Sequence, residues 1–128
     1  MNDISSMKSR GGLLRVWKAL GYSLQGLRAA VRNEAAFRQE LALGLPLLLA
    51  APWVGRSGPE VLALVGVVLL IWVVELLNSA LEALADAISL ERRELLGRAK
   101  DLGSAAVLFT LLFAAAVWGW VIWQRWGP

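Results

Sequence analysis

Residues 61–74 form an apolar run without a charged side chain, and a row of acidic residues follows at once. As a helix, this run spans most of a bilayer core of ~30 Å, and we expect the helix to continue to about residue 88. A charged group near hydrocarbon is costly, so ionisable residues in such segments usually have a function. The sequence therefore predicts a membrane helix whose end carries a functional polar row, made of Glu75, Asn78, Glu82 and Asp86.

The composition agrees with a small membrane protein of one domain. Apolar residues make up 58% of the 128 residues and 7 residues are tryptophan, which departs from the balance of soluble domains. The absence of cysteine and histidine excludes disulfides, thiolate metal sites and histidine acid–base chemistry. Proton transfer must then use carboxylates, lysine, arginine or the single Tyr22. The net charge of +3 is modest, and we expect no nucleic-acid partner.

The first forty residues are basic, with seven Lys/Arg against three acidic residues. Residues 1–10 are polar and predict a flexible tail. From residue 13, apolar side chains recur at spacings of three and four, which places them within an arc of roughly 80° on a helix. We expect a helix over about residues 12–32 in the headgroup plane; the alternative, a soluble helix packing on its own domain, lacks a soluble core. The apolar stripe consists of Leu13, Trp17, Leu20, Leu24, Leu27 and Val31.

The next apolar block, residues 41–54, is shorter than the roughly 20 residues that a membrane-spanning helix needs. It can be extended backwards to give a first span over about residues 34–54. That extension requires Glu34, Arg38 and Glu40 to lie at the interface or to face other protein rather than lipid.

Two longer apolar segments predict two further spans, over about residues 60–88 and 100–124. A breaker-rich turn at residues 55–60 separates the first two spans, and we expect residues 89–101 to be a charged connection. The helices would make one membrane domain over residues 11–128. The expected fold class is an all-α membrane protein with three transmembrane helices and an N-terminal amphipathic surface helix.

The basic residues of the loops predict the orientation in the membrane. Seven Lys/Arg lie in the first forty residues, before or at the start of the first span, one lies in the first loop, four lie in the second loop and one follows the last span. Since cytoplasmic loops carry the excess of Lys/Arg, we expect the N-terminus and the second loop in the cytoplasm. The turn at residues 55–60 and the C-terminus would then lie outside.

The polar row lies on one face of the predicted helix. Its members follow Glu75 by 3, 7 and 11 residues, which brings all four within an arc of roughly 80°. Glu75 would lie roughly 21 Å from the outer turn, inside the lipid, while Glu82 and Asp86 reach the headgroups. Such a stripe can bind Mg²⁺ or supply a general base. It can equally be structural, with Glu82 and Asp86 facing the cytosol and Glu75 paired with a cation.

Other charged residues converge on the same membrane face. Glu34 comes from another helix, and Arg98, Lys100 and Asp101 come from the cytoplasmic end of the third span. Phosphoryl transfer requires such a combination of metal ligands, a base and cations for the phosphate charge. The nucleotide-binding motifs G-x-x-x-x-G-K-[ST], G-x-G-x-x-G and H-R-D are absent from the sequence. The residues alone therefore predict a membrane protein with an interfacial acidic site.

Three segments, NEAAFRQE, ELLNSALEALAD and GRAKDLGSAAV, together resemble the prokaryotic diacylglycerol kinase family, the small integral membrane lipid kinases. The resemblance runs from about residue 15 to residue 123, in the family's order and spacing. It implies a homotrimeric helical bundle whose active sites are shared between subunits. It also implies phosphorylation of the primary hydroxyl of diacylglycerol by ATP with Mg²⁺, in the bacterial inner membrane. The product, phosphatidic acid, would serve phospholipid recycling.

The resemblance also implies roles for individual residues. Glu75 matches the catalytic base proposed for the family, and Glu34 and Glu82 match the ligands that hold Mg²⁺ against the ATP phosphates. Asn78 belongs to the same row and would orient the substrate or the base. The nucleotide-contacting positions are Arg15, Tyr22, Glu34, Asn78, Glu82, Lys100 and Asp101. The lipid-site positions are Arg28, Glu40, Glu75, Ser104 and Trp118.

Several alternatives stay open at this point. The sister branch of the superfamily phosphorylates undecaprenol and shares the acidic row. A non-enzymatic ion-conducting oligomer would use Glu75 as a mid-membrane site, and in a structural assembly subunit the row would be idle. Tyr22 and Trp118 could be interface aromatics rather than ligand contacts. The sequence assigns no role to Arg92 and Arg93, and Arg98 can equally cap its helix end.

Overall fold

The structure is a computed structural model that describes residues 11–91 and 93–128. The expected tail at residues 1–10 lies outside the described residues, as does Arg92. The described residues form helices and no strands, which confirms the all-α expectation. The four helices are α1 (Gly12–Asn33), α2 (Ala35–Val54), α3 (Gly58–Ile88) and α4 (Glu94–Trp126).

The described residues divide into two units, one that ends at Glu34 and contains α1, and one over residues 35–128. Helix α1 ends because Glu34 has an extended backbone, with φ −106° and ψ 106°, although its N–H still donates to the Ala30 carbonyl at 2.9 Å. The apolar stripe of α1 is exposed, with side chains that range from 43% to 89% exposed. An apolar face of this kind is typical of a helix that binds a membrane interface.

In the second unit, α3 packs against both α2 and α4. Leu64 and Val68 of α3 are the largest fully buried side chains of its core. Trp118 of α4 joins this core, and its Nε1 donates to the Leu64 carbonyl at 3.2 Å. Since lipid is as apolar as these side chains, close van der Waals packing must hold such helices together within a membrane. The buried members of the core are Ala51, Leu64, Val67, Val68, Ile71, Ala114, Trp118 and Val121.

Two of the described helices, α3 and α4, are long and apolar enough to cross a membrane. Helix α2 contains the charged Arg38 and Glu40 near its start and two prolines, Pro46 and Pro52, in its second half. It does not pass the same test of length and composition. The first of the three expected spans, over α2, therefore stays a prediction.

The turn between α2 and α3 occupies only residues 55–57, so α3 begins at Gly58 and not at about residue 60. The Ser57 hydroxyl accepts from the Glu60 N–H at 3.3 Å, and the Glu60 carboxylate accepts from the Arg56 N–H at 2.7 Å. The first N–H groups of a helix lack partners within the helix, so side chains that accept from this region stabilise its start. These two side chains explain why the helix begins within the predicted turn.

Two arginines donate hydrogen bonds to helix-end carbonyls at the end of the bundle that holds this turn. Arg56 donates to the carbonyl of Gln124 near the end of α4, and Arg125 donates to the carbonyls of Trp53 and Val54 at the end of α2. The last carbonyls of a helix have no partners within the helix and carry partial negative charge, so a guanidinium suits them. Each arginine thus caps a helix from another part of the chain.

The charged segment at residues 89–101 is not a connection throughout, which corrects the expectation from sequence. Helix α4 begins at Glu94, so the break between α3 and α4 is limited to residues 89–93. Glu94 lies in the first helical turn, where a negative charge is favourable. Its carboxylate also accepts from Arg98 Nη2 at 3.2 Å. These local interactions extend α4 beyond the apolar segment from which its start was predicted.

Candidate functional site

The polar row of α3 starts with a carboxylate that is buried within a single chain. Glu75 is only 4% exposed, and it is the one charged side chain among the buried residues of the described part of the chain. It follows Val68 and Ile71 along the helix, and both belong to the apolar core. A carboxylate in such a place needs a partner that offsets its lost hydration.

That partner is Glu40 of α2, whose carboxyl group is hydrogen-bonded to the carboxyl group of Glu75. A hydrogen bond between two carboxyl groups requires one proton between them, because neither ionised group can donate. Glu40 is also fixed through its backbone, since its carbonyl accepts from Trp72 Nε1 at 3.0 Å. Its Oε2 atom is buried and has no hydrogen-bond partner among the described residues. The two carboxyl groups therefore form a hydrogen-bonded pair between α2 and α3, and Trp72 holds the backbone of Glu40 in place.

A glycine lets α2 approach α3 at this level. A Cβ at Gly44 would lie 2.6 Å from the ring atom Cζ2 of Trp72, much closer than van der Waals contact. The indole therefore occupies space that any larger residue at this position would fill. The contact holds Trp72 where its N–H reaches Glu40, and Glu40 where its carboxyl reaches Glu75. The sequence shows Gly44 only as one residue of an apolar block, so no pattern predicts this contact.

Asn78 lies between Glu75 and Glu82 along the row. Its Nδ2 is 3.4 Å from Glu82 Oε1 and donates to it, and its Oδ1 is buried without a partner among the described residues. Glu82 is half-buried and lies two helical turns, or roughly 10 Å, beyond Glu75. The row thus leads from the buried carboxyl pair to a carboxylate that solutes can reach.

Lys100 of α4 lies beside the far end of the same row. Its Nζ is 2.5 Å from Asp86 Oδ1, and the two side chains are 40% and 48% exposed. This ion pair is therefore accessible to solutes, unlike the pair of Glu40 and Glu75. The sequence places Asp86 in the row but does not assign it to the nucleotide site. Its contact with Lys100 is a finding of the structure.

The other predicted site residues of the second unit lie on α4, and one of them is far from the row. Asp101 and Ser104 have exposed side chains on α4. Trp118 is 8% exposed in the core and follows Lys100 by 18 residues, which is roughly 27 Å of helix. Its indole N–H already donates to the Leu64 carbonyl. The structure therefore does not bring Trp118 to the row, and it gives no support to a lipid contact through this side chain.

The remaining predicted site residues belong to the first unit. Arg15, Tyr22 and Arg28 have exposed side chains on α1, and Tyr22 is 68% exposed. Glu34 is half-buried at the break that follows α1. The exposed side chains are available to solutes or to lipid headgroups, and their assignment to ATP or lipid stays a prediction.

The carboxylates of the row have the chemistry that a hard cation prefers, but they do not form a cage. Within residues 11–91 and 93–128, no three His, Cys, Asp or Glu side chains lie close enough together to hold a metal ion. Mg²⁺ prefers oxygen ligands, keeps several waters and usually takes one or two carboxylates from protein. The Glu82 carboxylate offers oxygen donors of this kind, and Asn78 Nδ2 donates to one of its oxygens. The donor set therefore fits Mg²⁺ that is bound together with substrate phosphates.

The arrangement offers two chemical environments along one face of α3. At its buried end, the carboxyl of Glu75 can accept a proton from an apolar substrate. At its exposed end, Lys100 offers a cation to an anionic solute, and Glu82 lies between the two. A site of this form suits a reaction between a lipid and a charged, water-soluble molecule.

Comparison with known proteins assigns the chain to a family and confirms the resemblance. The model of the prokaryotic diacylglycerol kinase family matches residues 21–122. A diacylglycerol kinase of Escherichia coli (strain K12) is 47% identical over 116 residues, which cover 91% of this chain and 95% of that protein. A diacylglycerol kinase of Pseudomonas aeruginosa is 44% identical over 118 residues, which cover 92% of this chain and 96% of that protein. One of Haemophilus influenzae is 43% identical over 111 residues, which cover 87% of this chain and 94% of that protein. The chain therefore belongs to the prokaryotic diacylglycerol kinase family.

Proposed function

We propose that this membrane protein is a kinase that transfers the γ-phosphate of ATP to the primary hydroxyl of diacylglycerol, which gives phosphatidic acid. Membership of the family supports the reaction, and relatives that match most of the chain are named diacylglycerol kinases. The structural observation that carries the proposal is the buried pair of Glu40 and Glu75 on the row that leads to Lys100. A base for a lipid hydroxyl and a cation for phosphate then lie along one face.

Glu75 acts as the general base in this proposal. Its carboxylate accepts the proton of the primary hydroxyl as the hydroxyl oxygen attacks the γ-phosphorus. A bond forms between the lipid oxygen and phosphorus, and the bond from phosphorus to the bridging oxygen of ADP breaks. Glu40 holds the Glu75 carboxyl in place through their hydrogen bond. The apolar surroundings of Glu75 suit an acceptor that is itself a lipid.

Glu34 and Glu82 would hold Mg²⁺, with the ATP phosphates as further ligands. When bound, the ion offsets negative charge on the phosphoryl group in transfer. Asn78 orients the Glu82 carboxylate through its Nδ2. Lys100 offers a cation to the phosphates from its exposed place on α4. The remaining nucleotide positions of the proposal are Arg15, Tyr22 and Asp101.

The proposal also covers the lipid contacts, the assembly and the orientation. Arg28, Glu40 and Ser104 would contact the lipid substrate near the base. Helix α2 would span the membrane together with α3 and α4, and three chains would form a trimer with shared sites, in the inner membrane of a bacterium. The distribution of Lys/Arg among the loops supports a cytoplasmic N-terminus and second loop.

The test is transfer of labelled γ-phosphate from ATP by the purified protein in mixed micelles, with diacylglycerol and undecaprenol offered separately. We expect labelled phosphatidic acid, and we expect its formation to stop when EDTA removes Mg²⁺. Glu75→Gln should lower turnover at least ~100-fold, because the general base is lost, while the protein stays folded. Glu60→Gln makes the same change on the same helix, away from the row, and should stay active.

Two results would contradict this proposal in different ways. Labelled polyprenyl phosphate as the main product would move the chain to the sister branch of the superfamily. No transfer to either lipid by a folded protein would remove the kinase function and favour an ion-conducting or structural role for the row.

A further inference from the structure

The packing of α3 against α4 places a glycine directly against the polar row. A Cβ built at Gly103 would lie 2.1 Å from Asn78 Oδ1 and 3.2 Å from Asn78 Cγ. A non-bonded carbon and oxygen at 2.1 Å overlap far inside their van der Waals contact distance, so any side chain at this position would displace the Asn78 carboxamide. The Asn78 side chain therefore packs directly against the α4 backbone at Gly103.

The carboxamide of Asn78 has a defined orientation in this place. Its Nδ2 faces the Glu82 carboxylate, and its Oδ1 faces Gly103. The flipped amide would direct Oδ1 at a carboxylate oxygen, and two acceptors repel each other. Oδ1 is buried and has no donor in the described part of the chain, which is unfavourable for a carbonyl oxygen. The hydrogen bond to Glu82 and the packing against Gly103 must therefore offset the cost of burying Oδ1 without a donor.

We propose that Gly103 is a positioning residue of the kinase site: its lack of a side chain fixes the Asn78 carboxamide, which in turn orients the Glu82 carboxylate. The inference rests on the proposed function, in which Glu82 holds Mg²⁺ with the ATP phosphates. Gly103 acts through Asn78 and has no contact with a reacting atom in this scheme. A side chain at residue 103 would move Asn78 and release Glu82 from its orientation.

Three other glycines of α3 and α4 do not make a contact of this kind. A Cβ at Gly66 of α3, or at Gly97 or Gly119 of α4, would meet nothing within 4 Å. Alanine at those positions should favour the helix, because alanine has the higher helix propensity. Gly119→Ala is therefore a matched control for Gly103→Ala on the same helix.

The first experiment measures kcat and KM for MgATP of the purified variants in mixed micelles. We expect Gly103→Ala to lower kcat/KM for MgATP about 10- to 100-fold, because small misplacements of catalytic groups have effects of this size. The KM for diacylglycerol and the values of Gly119→Ala should match those of the unchanged protein. Asn78→Ala removes the clash, so adding Gly103→Ala to it should cause no further loss. Independent losses that multiply in the double variant would overturn the inference.

The second experiment does not depend on turnover. Labelling with ¹⁵N-asparagine gives side-chain amide signals from the three asparagines, Asn2, Asn33 and Asn78, and Asn78→Ala identifies the signal of Asn78. Gly103→Ala should shift that signal, while Gly119→Ala should leave it in place. An unchanged Asn78 signal in Gly103→Ala would overturn the inference, whatever happens to activity.

The two experiments separate this inference from the proposed function. If the Asn78 signal shifts but the protein phosphorylates neither lipid, the proposed kinase function is contradicted. The contact between Asn78 and Gly103 is then still supported. An active protein whose Gly103→Ala variant keeps full activity would retain the kinase and overturn the positioning role. If Gly103→Ala does not fold, recovery of folding on adding Asn78→Ala supports the inference, and no recovery overturns it.

Discussion

Lys100 of α4 and Asp86 of α3 form an ion pair, with Nζ 2.5 Å from Oδ1, at the exposed end of the row that begins with Glu75. Because both side chains are about half exposed, solvent screens the pair and it contributes little to the free energy of unfolding. Its position matters more than its strength. The Asp86 carboxylate holds Lys100 beside the row. A phosphate group can take the place of that carboxylate as the anion that binds Lys100.

We expect Asp86→Asn to lower the KM for MgATP by up to ~5-fold, because the phosphates no longer compete with a carboxylate for Lys100. Lys100→Met should raise that KM, and adding Asp86→Asn to it should have no further effect. Steady-state kinetics of the three variants in mixed micelles measure this. A higher KM in Asp86→Asn would show that Asp86 positions Lys100 for ATP instead of competing for it.

A second prediction concerns the partner of the base. Glu40→Gln keeps a hydrogen-bond donor beside Glu75, whereas Glu40→Ala leaves the buried Glu75 without that partner. We expect Glu40→Gln to retain turnover within a few-fold of the unchanged protein, and Glu40→Ala to lower kcat about 10- to 100-fold, which corresponds to one lost buried hydrogen bond. The measurement is kcat at saturating diacylglycerol. Equal losses in both variants would indicate that Glu40 needs its ionisable group and does not act by hydrogen bonding alone.

A third prediction concerns the approach of α2 to α3. Gly44→Ala would place a methyl group 2.6 Å from the Trp72 ring, so we expect it to destabilise the protein by ~1–3 kcal/mol, as overpacked sites usually do. Gly66→Ala adds the same methyl group to α3 where nothing lies within 4 Å, and it should be neutral or slightly stabilising. Unfolding in detergent compares the two. Equal stability would mean that the indole of Trp72 can move aside at little cost.

A fourth prediction concerns Arg125, one of the two arginines that donate to helix-end carbonyls. Arg125→Ala would leave the carbonyls of Trp53 and Val54 without their guanidinium, and we expect a loss of about 1 kcal/mol in the free energy of unfolding. Arg125→Lys keeps the charge but not the planar set of donors, so its loss should be smaller. Turnover at a temperature where both variants are folded should stay unchanged. An unaltered unfolding midpoint in Arg125→Ala would show that solvent replaces the guanidinium without cost.

The sequence predicted the features that depend on neighbouring residues along the chain. The apolar stripe of α1 has helical spacing, and the apolar run after Gly58 has the length of a membrane helix, so both helices could be anticipated. The start of α4 at Glu94 could not, because residues 89–101 are charged and carry no apolar period. A helical turn made by Glu94 and Arg98 leaves no signal in hydropathy.

The site shows the same division between local and distant contacts. Glu75, Asn78 and Glu82 could be placed on one face of a helix because their spacing fixes their relative angles. The pairing of Glu75 with Glu40, and the packing of Asn78 against Gly103, depend on which faces of three helices meet. No periodicity within one helix contains that information. Tertiary packing therefore supplied the partners of residues that the sequence had already singled out.

The hydrogen bonds of Arg56 and Arg125 join the C-terminal ends of α2 and α4 to each other and to the segment before α3. Helix α3 is 31 residues long, which is about 46 Å, so these hydrogen bonds and the ion pair of Asp86 and Lys100 lie near opposite ends of the bundle. A substitution at either arginine therefore changes the protein far from that ion pair. Its effect on the free energy of unfolding can be measured separately from any effect on the polar row.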